Sequence, residues 1–113
     1  MQSKEYLYFL EYLTEMVRGY DEEWFGDLPE NPSKKDIIQF SCEKWVYRDM
    51  LSYFKEHIEE DFGVVLNNYQ AKMYNNMHIA TKKREQLYVF AITESQSIYE
   101  AILDEIYDEE NAT

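Results

Sequence analysis

The apolar positions of the first segment recur at three- and four-residue spacing. Tyr6, Phe9, Leu10, Leu13, Met16 and Val17 follow Ser3, a residue suited to cap a helix N-terminus, and stop before Gly19, which suits the position just past a helix end. This predicts a helix over about 4–18. From Tyr20 to Pro32 the period is lost. Gly26, Pro29 and Pro32 stand beside five acids, and the residue before each proline is pushed out of helical geometry, so a loop is expected. Ser33 followed by Asp36 has the spacing of a capping box. It opens a second period through Ile37, Ile38, Phe40, Trp45, Leu51, Phe54, Ile58 and Phe62, with Gly63 as the stop. A long second helix over about 34–61 follows.

From Val64 onward there are fifty residues with neither glycine nor proline, and two readings compete. In one, Asn67 or Asn68 caps a third helix. Tyr69, Met73, Met77, Ala80, Leu87, Ala91, Ile98 and Ile102 then stay within an arc of roughly 80° at 100° per residue. In the other, QLYVFAIT from Gln86 to Thr93 is a strand, and Met77 to Thr81 pairs with it across Lys82 to Glu85. A segment over about 95–109 is helical in both. The missing turn residues favour the first reading: a mainly α, small helical bundle of about four helices. The alternative is α+β, helices packed on a small antiparallel sheet built from about 63–93.

With 113 residues the chain has room for one domain, 1–113. A formal charge of −12 accompanies 45% apolar and 17% aromatic residues, too much hydrophobic surface for a disordered acidic tail. The charge disfavours a bare nucleic-acid binder, since duplex DNA carries about one negative charge per 1.7 Å, and it points to basic proteins as partners. No run approaches the ~20 apolar residues of a membrane span. The first residues lead into an acid-containing amphipathic stretch instead of a basic signal sequence, so a soluble, cytoplasmic protein is expected. Cys42 is alone, which leaves neither an internal disulfide nor a cysteine-based metal site.

The charge is blocked along the chain. Residues 1–61 hold 15 acids and 7 bases, 62–93 hold 1 and 4, and 94–113 hold 7 and none. On a helical wheel Glu94, Glu100, Asp104, Glu105, Asp108 and Glu109 share one half of the last helix, while Ile98, Ile102, Leu103 and Ile106 mostly occupy the other. Seven acids from Glu94 to Glu110 lie along ~24 Å, about one per 3.4 Å, close to the axial charge spacing of a single DNA strand. A second cluster, Glu56, Glu59, Glu60 and Asp61, is expected to close the second helix. Asp108, Glu109 and Glu110 close the last, and both ends run against the helix dipole by ~0.3–1 kcal/mol per charge. A third cluster lies in the loop, where Asp21, Glu22, Glu23 and Asp27 surround Trp24 and Phe25 as charged steering groups around aromatic anchors.

Chemistry has little to stand on. His57 lies within a turn of Tyr53, Glu60 and Asp61 and reads as a surface histidine. His78, among Asn75, Asn76, Met77 and Ile79, reads as structural. Neither has a glutamate three residues before it, as a di-iron bundle requires, and three glycines cannot build a phosphate cradle. Cys42 reads as a small buried residue. No enzyme, cofactor or metal is expected. Lys82, Lys83 and Arg84, the one basic concentration, are expected to pair with carboxylates of the acidic helix within the fold or across a dimer. Tyr6, Tyr8 and Tyr12 cannot all face the core.

These features predict a small acidic protein that binds another protein and inhibits it by occupying a basic, nucleic-acid-binding groove, its carboxylates standing in for phosphates. In size, charge and expected architecture the chain resembles the small acidic antagonists that phages and mobile elements carry against restriction or CRISPR nucleases. The resemblance implies a DNA-mimic, anti-restriction or anti-CRISPR function. An immunity protein or antitoxin against a toxin nuclease uses the same physics, and a homodimeric helical adaptor is the structural alternative.

Overall fold

A computed structural model describes residues 3–22 and 29–112, which form four helices: α1 (Lys4–Asp21), α2 (Lys34–Glu56), α3 (Phe62–Ile79) and α4 (Lys82–Asn111). The mainly α bundle is borne out, and no strand occurs among the described residues. No described helix is long and apolar enough to cross a membrane.

The starts of α1 and α2 follow local chemistry. The Ser3 hydroxyl accepts the Tyr6 N–H at 3.2 Å. Ser33 and Asp36 make both bonds of the capping box, at 3.1 and 3.0 Å. The helix ends depart from the local signals. α1 continues through Gly19 to Asp21 because Tyr20 is buried against α2, its ring 5.3 Å from both Phe40 and Tyr47. α2 stops five residues short of the expected end, at Glu56. There the chain turns, and Asp61 becomes the cap of α3, accepting the Val64 N–H at 3.3 Å. Gly63 lies inside the first turn of α3, with Asp61 Oδ2 only 3.3 Å from where a Cβ would stand, so it gives room to the cap instead of ending a helix. Asn67 and Asn68 are interior to α3.

α3 and α4 are separated by Ala80 and Thr81 in extended conformation, with neither glycine nor proline to announce the break. The apolar arc that crosses this point in the sequence is therefore folded back on itself, so that Gln70 on α3 donates to Ser95 and Gln96 on α4, both at 3.2 Å. The Gln86–Thr93 stretch is helical despite its β-branched and aromatic content. Leu87, Phe90 and Ala91 at helical spacing turn inward, and the Phe90 ring meets Tyr47 edge-on at 5.9 Å.

α1 runs antiparallel to α2 and to α4, and α3 antiparallel to α4. One cluster of buried residues draws on all four helices. Its centre is aromatic: Phe9 stacks on Phe54 at 4.5 Å, and Tyr6 and Phe62 meet them at 5.3–6.1 Å. The buried Tyr6 hydroxyl donates to the Phe54 carbonyl at 2.5 Å. That carbonyl lies in the last turn of α2, where no intrahelical donor is available to it. α4, 30 residues or ~45 Å, is nearly as long as the 48 Å greatest extent of the molecule, so its two ends lie at opposite poles.

Candidate functional site

The C-terminal half of α4 sorts its side chains by face. Ile98, Ile102 and Ile106, each one turn from the next, are buried. Opposite them Glu100, Asp104 and Asp108 form an exposed row at the same spacing, with Leu103 and Tyr107 between them, 38% and 66% exposed. Glu105 and Glu109 turn toward α1. Glu109 is pinned there: Lys4 Nζ lies 2.7 Å from its carboxylate and the Tyr8 hydroxyl donates at 2.7 Å. Lys4, then Tyr8, hold its carboxyl below the usual range. A negative residue in the last turn of α4 thus meets a local cation from another helix, which offsets its conflict with the dipole.

Glu105 lines a groove of about 310 Å³ between α1 and α4 with Tyr8, Glu11, Tyr12, Glu15 and Ile102. Glu11 and Glu15 were not among the expected site residues. They stand one turn apart on α1, a spacing visible in the sequence, but only the antiparallel docking of α1 on α4 brings them beside Glu105. The tyrosines of α1 divide accordingly: Tyr6 is core, Tyr8 is half-buried, and Tyr12 lines the groove with burial and Glu94 pushing its hydroxyl pKa up. Glu15 also pairs with Arg18 at 2.9 Å. Glu100, Asp104, Glu105 and Asp108 place four carboxylates on ~12 Å of α4, a mean step of about 4 Å. This is slightly wider than the ~3.4 Å axial charge spacing of one DNA strand.

Glu94, expected on this stripe, is not on it. It sits half-buried between helices, bonded by the Tyr47 hydroxyl, and desolvation raises its pKa, with Glu43 adding to the effect. Glu43 in turn accepts from Tyr20 at 2.6 Å and from Gln39 at 3.0 Å. A wheel drawn for α4 alone cannot distinguish an acid facing water from one facing α2.

The second cluster shares the same pole, because Tyr6 ties the end of α2 to the start of α1 and Lys4 ties that start to Glu109. Its electrostatics are the reverse of those expected. Glu59, Glu60 and Asp61 do not close α2; they precede the N-terminus of α3, where negative charge is favourable. Asp61 is the cap, and Glu60 pairs with His57 Nδ1, whose ring lies 4.4 Å from that of Tyr53. Glu56 and Glu59 are exposed.

Of the third cluster only Asp21 and Glu22 are described, and these two do not join the ridge. Asp21 ends α1 at the opposite pole and is engaged by Arg48 and by Lys44 at 3.7 Å. Glu22 caps α1, and Glu23, Trp24, Phe25 and Asp27 lie outside the described residues. Lys82 and Arg84 make no ion pair among the described residues, so their expected pairing with the acidic helix within the fold is not observed. Cys42 is half-buried, its thiol pKa raised by burial, and His78 is exposed beside Tyr74. Among the described residues no group of three His, Cys, Asp or Glu side chains could hold a metal.

No family model matches the chain, and neither a curated protein nor a solved structure matches it. A convex carboxylate ridge with two exposed apolar side chains, flanked by an acidic tyrosine-lined groove, suits a cationic partner surface with some apolar contact.

Proposed function

We propose that the protein is a small acidic inhibitor that occupies a basic, nucleic-acid-binding groove of a partner protein, as a DNA mimic does. The observation that carries this reading is the contiguity of the ridge. Glu15 and Glu11 on α1 face Glu105 across the groove, and Asp108, Asp104 and Glu100 continue from it around the outside of α4. Carboxylates at this density compete for lysines and arginines placed to meet phosphates. Leu103 and Tyr107 add the apolar contact that a purely ionic pairing would lack. Asp108 and Glu110 at the end of α4 support the reading too, since helix stability alone favours cations there. A restriction or CRISPR nuclease, of the kind that phage and mobile-element antagonists block, has such a groove, and so does a toxin nuclease held by an immunity protein. Identifying the captured enzyme separates these two.

The test is capture of partners on the immobilised protein, followed by challenge with short duplex DNA. The expected outcome is a nucleic-acid-binding protein that duplex DNA releases and that an Asp104→Lys, Glu105→Lys, Asp108→Lys variant fails to capture. A partner that stays bound through excess duplex, or that binds the variant equally well, would contradict the proposal.

A further inference from the structure

The opposite pole carries a surface of the complementary kind. Between the N-terminal halves of α2 and α4 lies a groove of about 310 Å³ whose lining includes Ile37, Ile38, Cys42, Trp45, Leu87 and Arg84. Its apolar side chains are not spare core: Ile37 is 48% exposed, Ile38 65% and Trp45 43%. Arg84 stands in the groove and Lys34 opens α2 one turn before Ile38. Neither makes an ion pair among the described residues. Both lie in the first turn of a helix, where the dipole disfavours cations, and Thr81 gives α4 no side-chain cap to compensate.

We propose that this groove receives the outer face of the C-terminal half of α4 from a second copy of this chain, so that copies join head to tail. Charge selects the occupant. Two grooves meeting about a two-fold axis would set Arg84 and Lys34 against their own kind, whereas the groove calls for an anionic occupant that also covers its apolar side chains. An acidic face with an apolar seam meets both requirements. Among the described residues the Glu100–Asp108 face offers it: Leu103 and Tyr107 supply the seam, and Glu100, Asp104 and Asp108 flank it. The lengths agree, since Ile37 to Trp45 and Glu100 to Asp108 are each nine residues, or eight steps covering ~12 Å. The proposal rests on the ridge being a recognition surface, as in the inhibitor reading, but not on its likeness to nucleic acid. Assembly and partner binding then compete for one face, so a concentrated protein stores itself and a diluted one is free to act.

Sedimentation equilibrium of the full chain at low and high salt tests this. Wild type is expected to show dimers and larger species at low salt and monomer at high salt. A Lys34→Glu, Arg84→Glu variant and an Asp104→Lys, Asp108→Lys variant should each stay monomeric, with self-affinity weakened about tenfold or more. Mixed in equal amounts, the two variants should form a dimer that grows no further, because each retains one intact face and both lack the second. Trp45 emission should shift to shorter wavelength on mixing, a change absent in Trp45→Phe. Circular dichroism checks each fold, and Arg84→Gln with Asp104→Asn gives a milder pair with the same expected direction. Monomeric wild type at every concentration, self-association unchanged in either charge variant, or no complex in the mixture overturns the proposal. The groove variant leaves the ridge intact, so its capture of an outside partner reads the inhibitor function separately.

Discussion

The two halves of α4 are built alike inside and oppositely outside. From Lys82 to Glu94 the helix packs on α2 and α3 through Leu87, Phe90 and Ala91 and begins with a cluster of cations. From Ser95 to Asn111 it packs on α1 and α3 through Ile98, Ile102 and Ile106 and ends in acids. The first turn of α4 sets its cations against Glu85 alone and its last turn carries only acids, so both ends on balance oppose the helix dipole. α1 is mixed, with Lys4 and Glu5 at its start and Arg18 and Asp21 at its end. Burial holds α4 in place along its length, and that frees its ends to carry charges a marginal helix would not tolerate. The difference between the ends therefore speaks of what each pole meets, and it can be broken or sharpened experimentally.

The largest effect should come from the shared interior. Ile98, 2% exposed, lies near the junction of the halves, and Ile98→Ala is expected to cost ~2–5 kcal/mol in denaturant unfolding. Because α4 is one rod, the variant should weaken the anionic and the cationic face together; loss of one alone would show that the halves are independent.

Next in size is the effect on binding. Reversing Asp104 and Asp108 to lysine should slow association with a cationic partner about tenfold or more at low salt while leaving the dissociation rate less changed, as measured by surface binding kinetics. Reversing the cationic half instead, at Lys82 and Arg84, removes no carboxylate from the ridge and should not slow that association.

A smaller effect is expected where the halves meet. Desolvation raises the Glu94 pKa above its ordinary 4.5, so folding favours its protonated form. That stability is present in full below the unfolded value and is lost as pH rises through the folded value, leaving a charged, partly desolvated group at neutral pH. Glu94→Gln should therefore raise neutral-pH stability by under about 1 kcal/mol, after screening by solvent, and the two proteins should converge below about pH 4. Equal thermal stability at pH 7 would place Glu94 on the exposed stripe after all.

The smallest effects concern the dipole itself. Lys82→Glu, or Asp108→Lys with Glu110→Lys, should raise stability by ~0.3–1 kcal/mol per charge, as judged by thermal unfolding at low salt. A variant that gains stability while losing binding would separate the two roles of these charges cleanly.

The starts of α1 and α2 were legible in the sequence because their signals are local: Ser3, Ser33 and Asp36 make the bonds their spacing implies, whereas α3 starts at Asp61 and not at the expected Asn67 or Asn68. Helix ends were not, because they are decided at a distance. Tyr20 extends α1 by docking on Phe40 and Tyr47, and the apolar period through Ile58 and Phe62 conceals a turn capped by Asp61. The break at Ala80–Thr81 has no glycine or proline to mark it. Within the candidate site the row Glu100, Asp104 and Asp108 was readable from periodicity alone. Glu11 and Glu15 needed a second helix beside them, and Glu94 was misplaced because one helix cannot say which side its neighbours cover.

The central claim, that the α1–α4 ridge takes the place of a polynucleotide on its partner, meets its most direct test in equilibrium competition with the captured partner in purified form. Duplex DNA should exclude this protein, raising its apparent Kd in proportion to the duplex concentration, and both ligands should weaken as salt rises. A ternary complex of partner, duplex and this protein, formed at undiminished affinity, would contradict it.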